Sequence, residues 1–290
     1  MQNNDKNNFT VVIPTLGHEC LEETLLSLNA SKIRPDEILI CTPKKSYIKL
    51  SESISKNISI IETSDHGQVF QIMIGFSKAK SNFVMQLDDD ISLDYLCTEK
   101  LLFELNKLGA RSAISPVWIS KETGNSLYSI EGQNYHLLRA IYCWLLNGSF
   151  KCEPGTITKA GTSVGVDHNL ISNNIFAVDW LAGGCIMHKK DNLILNNFFP
   201  FPGKAYSEDL IHSQLLKDNG ISLYVCKEAI GAQHSDPTIP KLDFINFILW
   251  IRDDMRAKKY FLKLSKKGFF RMYLYYIKLF INYPITRLVK

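Results

Sequence analysis

The sequence contains seven cysteines but no C-x-x-C pair, and the spacings between them are 21, 56, 46, 9, 33 and 41 residues. An odd number of scattered thiols argues against a disulfide framework or a zinc site, and for reduced thiols in a cytosolic setting. No P-loop and no G-x-G-x-x-G fingerprint is present, which counts against P-loop kinases and dinucleotide-dependent dehydrogenases. The opening MQNNDKNN lacks an apolar h-region, so no signal peptide is expected there. No internal repeat or low-complexity block is visible. Apolar residues make up 46% and charged residues 21% of 290 positions, which is the balance of a globular chain and not of a disordered, collagen-like or polytopic membrane protein.

Charge is unevenly placed. Residues 252–290 hold 11 Lys/Arg against two Asp/Glu, a net of +9, while the other 251 residues carry a net of −5. A basic, aromatic tail is thus joined to a slightly acidic body.

The amino-terminal part alternates strand and helix signals. Phe9 to Ile13 is a short apolar, β-branched run suited to a strand buried on both faces. Cys20–Leu28 has helical spacing. Glu37–Cys41 and Ser59–Thr63 read as further strands. Gly67–Lys80 predicts a helix with Val69, Ile72, Met73 and Phe76 on one face, and Asn82–Leu87 a fourth strand. This order indicates an α/β fold with a doubly wound, mainly parallel sheet flanked by helices. Residues 111–175 are broken by glycines and read as helical turns and loops over the sheet's carboxyl edge. Strands at Ile175–Trp180, Cys185–Met187 and Leu223–Val225 follow, with a helix from Ser207. The simplest division is a catalytic domain over 1–240 and a helical extension over 241–290.

Asp88-Asp89-Asp90 closes the fourth strand. Three adjacent carboxylates repel one another and must be exposed or neutralised. A divalent cation neutralises them efficiently, and hard oxygen ligands suit Mg²⁺ or Mn²⁺. Ligands of open α/β sheets also sit beyond the carboxyl ends of strands. A solvated acidic turn is the ordinary alternative. Ser207-Glu208-Asp209-Leu210 fits a Ser-capped helix start with acids in the first turn. Gly183-Gly184, after Asp179-Trp180-Leu181, fits a turn or a site where backbone must approach a ligand. His234 in AQHSDP is by itself an ordinary histidine.

Taken in order, FTVVIPT, GQVFQIMIGFSKAKSNFVMQLDDD, VDWLAGG, SEDL and a later His resemble the inverting glycosyltransferases of family 2, bacterial surface-glycan type, over roughly residues 9–235. The resemblance implies a GT-A-like fold and a D-x-D metal motif holding Mn²⁺ or Mg²⁺. It makes Asp90 a metal ligand, Asp88 a second ligand or a donor contact, and His234 a further ligand. Asp209 becomes the general base on the acceptor hydroxyl, with Glu208 orienting it. Thr15 and Asp89 fall on the donor side. Trp180, Gly183 and Gly184 fall on the acceptor side. This chain departs from the family where Cys41-Thr42-Pro43 replaces the usual acidic end of the second strand. Gln68 and Gln71 stand where a basic residue usually meets the diphosphate, and Asp65 is the candidate for the nucleoside contact.

A departing nucleoside diphosphate builds negative charge. A divalent ion offsets that charge electrostatically, and inversion then needs one carboxylate base on the opposite face. The implied partners are a nucleotide-sugar and a glycan or lipid-linked acceptor, in surface polysaccharide synthesis. In the tail, Arg271, Tyr275, Lys278 and Asn282 share one helical face amid aromatic residues. No run there reaches the length of a membrane span, so an interfacial helix on an anionic membrane surface is expected, at the cytoplasmic face. Packing on the catalytic domain is the alternative, and no nucleic-acid partner is expected because no recognition motif accompanies the charge. Two other readings remain: a nucleotidyltransferase, which usually opens with a glycine-rich basic loop absent here, and a non-catalytic membrane-associated nucleotide-sugar-binding protein.

Overall fold

Strand β1 (Phe9–Pro14) is buried along its whole length, as a strand covered on both faces must be. Its side chains alternate between two cores. Phe9, Val11 and Ile13 join one cluster with Leu21, Leu25 and Leu28 of helix α1 (Leu21–Ala30). Val12 joins another with Ile72 and Phe76 of helix α2 (Gln68–Lys78). Helices on opposite faces of one sheet make it doubly wound. The computed structural model describes residues 8–48, 50, 57–128, 136–202, 205–233 and 243–288.

The remaining strands are β2 (Glu37–Thr42), β3 (Ile58–Glu62), β4 (Phe83–Leu87), β5 (Ser92–Leu93), β6 (Ser112–Ser120), β7 (Ile175–Val178), β8 (Cys185–Lys189) and β9 (Ser222–Gln233). The sheet runs β3-β2-β1-β4-β8-β6-β9-β5, with β7 also paired to β9. The first four positions are parallel throughout. Strand β8 then runs antiparallel between β4 and β6, and β6 pairs with β9 in a long parallel ladder. Because β2 and β4 flank β1 on opposite sides, the chain reverses direction across the sheet at the β1/β4 crevice. Open α/β sheets bind ligands at such a reversal. Helices α3 (Cys97–Lys107) and α5 (Glu208–Asp218) complete the layers.

The expectation for residues 111–175 needs correction. Ser112–Ser120 is not a loop over the sheet edge but a nine-residue strand inside it. Pro116 hides this, since proline cannot donate to a ladder. The structure accommodates it where the β6–β9 register shifts between Pro116 and Val117, as a bulge does. All seven cysteines are free thiols.

By its internal contacts the chain forms two units, Met1–Ser129 with Val166–Asp236, and Ile130–Gly165 with Pro237–Lys290. The first contains every strand named above. The second contains helices α4 (His136–Asn147), α6 (Phe244–Leu264) and α7 (Phe270–Leu288). The tail is helical as expected. Contacts of Phe247 with Phe280 and Tyr283, and of Asp254 with Tyr276, make α6 and α7 an antiparallel pair. At its centre the buried Asp254 carboxylate accepts from Lys258 Nζ at 2.7 Å and from Tyr276 Oη at 2.7 Å.

The polar face of α7 does not remain free for lipid, contrary to expectation. Arg271 Nη1 donates to the carbonyls of Trp144 at 2.5 Å and Leu145 at 3.0 Å, in the last turn of α4. A cation there satisfies orphan carbonyls and suits the helix dipole. Gly148, which ends α4 at φ +76°, leaves the space the guanidinium fills. Lys278 Nζ lies 3.5 Å from the centre of the Tyr142 ring.

The run Gly161–Gly165 has the G-x-S-x-G spacing of a hydrolase elbow, but it lies in a tight turn that bridges Ile157 to Ser163. A nucleophile elbow sits between strand and helix, so the spacing carries no such chemistry here.

Candidate active site

The end of β4 releases Asp88-Asp89-Asp90 at the β1/β4 crevice, where the end of β1 releases Thr15. The parallel register pairs Val12 with Gln86, so its continuation sets Thr15 opposite Asp89. There the Thr15 hydroxyl donates to Asp89 Oδ2 and accepts from Gly17 N at 2.9 Å. Thr24 Oγ1 donates to the Asp89 carbonyl at 3.1 Å. These bonds fix the loop and commit one oxygen of Asp89 to Thr15.

Helix α2 reaches the same place from its first turn. Gln68 Nε2 donates to Asp88 Oδ1 at 3.0 Å. Gln71 is buried, and its Oε1 accepts from Thr15 N at 2.9 Å. Two neutral amides thus stand where the resemblance would put a basic residue, and both hold the loops in place. Asp65 is exposed; its Oδ1 accepts from Gly67 N at 2.9 Å, shaping the turn into α2.

The antiparallel strand β8 brings Gly183-Gly184 against the acids. Asp88 N donates to Gly184 O at 2.9 Å, and Gln86 Nε2 donates to Gly183 O at 2.7 Å. Neither glycine is needed for a left-handed backbone. They are needed for close approach. A Cβ on Gly183 would strike Glu208 Oε1, and one on Gly184 would meet the Trp118 ring at 3.0 Å. The pair forms a turn into β8, and what it approaches in this structure is Glu208 and Trp118.

Glu208 and Asp209 open α5. The expected serine cap is absent as such: Ser207 occupies the cap position at φ 54°, ψ 23°, without a side-chain cap bond. Left-handed backbone is strained for serine and persists only where its surroundings enforce it. The result turns Glu208 inward, with 8% of its surface exposed and Oε2 without a hydrogen-bond partner. Burial, then the charges of Asp209 and Asp88, push its carboxyl well above the usual range.

Asp88 is pushed up to about 7, first by burial and then by Asp90 and Asp89, with Asp209 adding to the repulsion and Gln68 opposing it. Asp89 is also raised by burial, against the lowering effect of the Thr15 bond. Asp209 thus acts electrostatically on both Asp88 and Glu208, which places the strand-end acids and the helix-start acids in one site.

Trp180 is buried and packs edge-to-face on Tyr128 at 6.2 Å. Tyr128 is itself held above its ordinary value by burial and by Asp209. With Trp118 they line a slot of about 20 Å³, room for a water molecule and not for a sugar ring. Trp180 is accordingly a buried packing residue here. His234 lies outside the described residues.

Gln86, Tyr128 and Thr24 belong to the site and were not singled out from sequence. Gln86 did leave a signal, as the lone amide within the apolar strand FVMQL. Tyr128 and Thr24 left none.

No three His, Cys, Asp or Glu side chains form a closed metal cage among the described residues. The donor chemistry nonetheless fits a hard divalent cation. The oxygens are carboxylate, burial and then their mutual repulsion raise Asp88, and Mg²⁺-type ions use one or two carboxylates with water and phosphate completing the shell.

No protein-family model and no curated protein matches this sequence. Among solved structures the chain is similar to the crystal structure of GalNAc-T7 with UDP, GalNAc and Mn²⁺, at a TM-score of 0.53 and 12% identity. The fold is of the GT-A type. The match covers 95% of this chain and 58% of that one, so the chain spans less than two thirds of its neighbour. At such identity the likeness is one of fold, and in this fold the acids of this chain lie where the sheet reverses direction, at the β1/β4 crevice.

Proposed function

We propose that this chain transfers a sugar, with inversion, from a nucleotide-sugar to a hydroxyl of a glycan or lipid-linked acceptor, as family 2 enzymes of bacterial surface-polysaccharide synthesis do. The observation that carries this is the convergence of Asp88-Asp89-Asp90 with Glu208-Asp209 at the carboxyl end of β4. A neighbour of the same fold holding UDP and Mn²⁺ supports it.

Asp88 and Asp90 would hold Mn²⁺ or Mg²⁺, with His234 as a further ligand. The cation would offset charge on the diphosphate as it leaves. Thr15 and Gln71 fix the β1 loop, and Gln68 orients Asp88, so that the donor side is set before the substrate arrives. Asp65 is placed to meet the nucleoside. On the acceptor side, Asp209 takes the proton of the attacking hydroxyl. Glu208, buried against Gly183, fixes the start of α5 and so orients Asp209. Gly183 and Gly184 let these groups approach one another.

The same proposal places the protein peripherally at the cytoplasmic face of an anionic membrane, with the extension over residues 241–290 as the contact and no nucleic-acid partner. No helix among the described residues is long and apolar enough to cross a membrane. The test is incubation of purified protein with Mn²⁺, a panel of nucleotide-sugars and lipid-linked or glycan acceptors. Product appears with the anomeric configuration opposite to the donor's if the proposal holds. A retained configuration would refute inversion. Release of pyrophosphate from a sugar phosphate and a nucleoside triphosphate would make the protein a nucleotidyltransferase, and donor binding without turnover would make it a binding protein.

A further inference from the structure

At one end of the second unit the three helices bring several exposed apolar residues together, while Phe270, Tyr273, Trp144 and Phe150 are exposed toward the other end. Phe244 lies 5.8 Å from Tyr283, ring centre to ring centre, so α6 begins where α7 finishes. Tyr142 lies under Lys278 and Trp144 against Arg271, so α4 also begins at that end. There Leu137 is 73% exposed, Ile245 71% and Ile281 59%. Leu138, Ile248 and Phe280 are exposed beside them in the order of the chain. Monomeric soluble proteins seldom leave so many large aliphatic side chains together in water, and such clusters mark contact surfaces.

Charge selects among possible occupants. Residues 130–165 and 237–290 carry 15 Lys/Arg against five Asp/Glu, a net of +10. Two copies of this unit brought face to face would oppose that charge with its like. An anionic lipid surface would complement it. The order along α6 agrees. Its exposed face carries Ile245, Ile248 and Leu249 and then, one and two turns on, Arg252, which is paired with Asp253, and Arg256. At 1.5 Å per residue the two arginines lie about 6 and 12 Å beyond Ile248, and interfacial helices seat their apolar face roughly 5–10 Å deep. Hydrocarbon-seeking groups at the tip and cations behind them reproduce the layering of a bilayer's surface.

We infer that the α4–α6–α7 end inserts into the interfacial layer of an anionic membrane, so that apolar contact, and not the Arg271–Lys278 face of α7, does the anchoring. The inference rests on the membrane clause of the proposed function and specifies its contact. It differs from a purely electrostatic tail in one measurable respect, because salt screens charge attraction and leaves apolar insertion in place.

The full chain and the variant Ile245→Ser/Ile248→Ser/Ile281→Ser are sedimented with phosphatidylcholine vesicles, with and without phosphatidylglycerol, at low and high salt. The wild type should bind the anionic vesicles and stay bound in part at high salt. The variant should partition less by about tenfold or more, with unchanged melting and unchanged donor hydrolysis. If it proves unstable, Leu137→Ser/Leu138→Ser tests the same end from another helix. Undiminished binding by the folded variants would overturn the inference and leave the membrane clause standing. A wild type that binds no vesicle would overturn both. A wild type that is dimeric without lipid, and monomeric when substituted, would make the surface a self-interface and also overturn it.

Discussion

Replacing Gly183 by alanine probes the join between the two halves of the site. The added methyl would collide with Glu208 Oε1. Glu208 is almost fully buried and its helix starts from a left-handed Ser207, so the side chain has no open space to enter. Gly183 itself is not in the left-handed region. Alanine is therefore permitted by the backbone, and the entropic effect alone would stabilise the protein by roughly 0.4–1 kcal/mol. Overpacking should more than offset this, at about 1–3 kcal/mol. In a domain of this size each kcal/mol lowers Tm by roughly 2–4 °C. Turnover should fall as well, because Asp209 follows Glu208 directly. The assay is a double-mutant cycle read by denaturant melts. Glu208→Ala removes the colliding carboxyl, so Gly183→Ala added to it should cost little, giving a coupling of about 1 kcal/mol or more. Two losses that simply add would refute the contact, as would a Gly183→Ala protein as stable as the wild type.

Asp209→Asn should leave nucleoside diphosphate affinity intact while kcat falls by about 10²-fold or more; an equal loss of donor affinity, read by titration calorimetry, would make Asp209 a donor ligand or a structural group. His212 stacks on Phe198 at 5.2 Å and faces His188, and burial lowers both rings, His212 to about 4. The unfolded chain binds the proton more readily, so their contribution is complete above about pH 6.5 and is lost as pH falls toward 4. Urea melts of His212→Leu against wild type should show a flatter pH slope by roughly 3 kcal/mol across that window, and parallel curves would contradict this. Arg271→Ala strips donors from two carbonyls at the end of α4 and should destabilise the second unit by about 1–3 kcal/mol, more than Lys278→Ala does. Hydrogen exchange in α4 reads the difference, and equal effects would show the carbonyl contacts to be dispensable.

The amino-terminal half was legible because its strands are apolar runs buried on both faces and its helices repeat apolar residues at helical spacing. The acids after β4 were legible for a related reason, since three carboxylates closing an apolar strand need an explanation. Strand β6 was not, because Pro116 contradicts the interior of a sheet until the bulge is seen. Strand β9 was read only at Leu223–Val225, since Lys227, Glu228 and Gly231 interrupt the apolar pattern. What sequence could not supply was long-range pairing. Gln86 meets Gly183 from 97 residues away, and nothing local marks that contact. On α7 the periodicity correctly grouped Arg271 with Lys278, but a periodicity says which residues share a face and not what covers it. Here α4 covers it.

The most direct test of the account is metal-dependent turnover of a nucleotide-sugar by the wild type and by Asp90→Asn, each measured with Mn²⁺ and after chelation. Turnover should require Mn²⁺ in the wild type and be abolished in Asp90→Asn, while metal-free melting of the two proteins coincides. Near wild-type turnover by Asp90→Asn, or turnover that survives chelation, would contradict the claim that the strand-end acids hold a cation against the departing diphosphate.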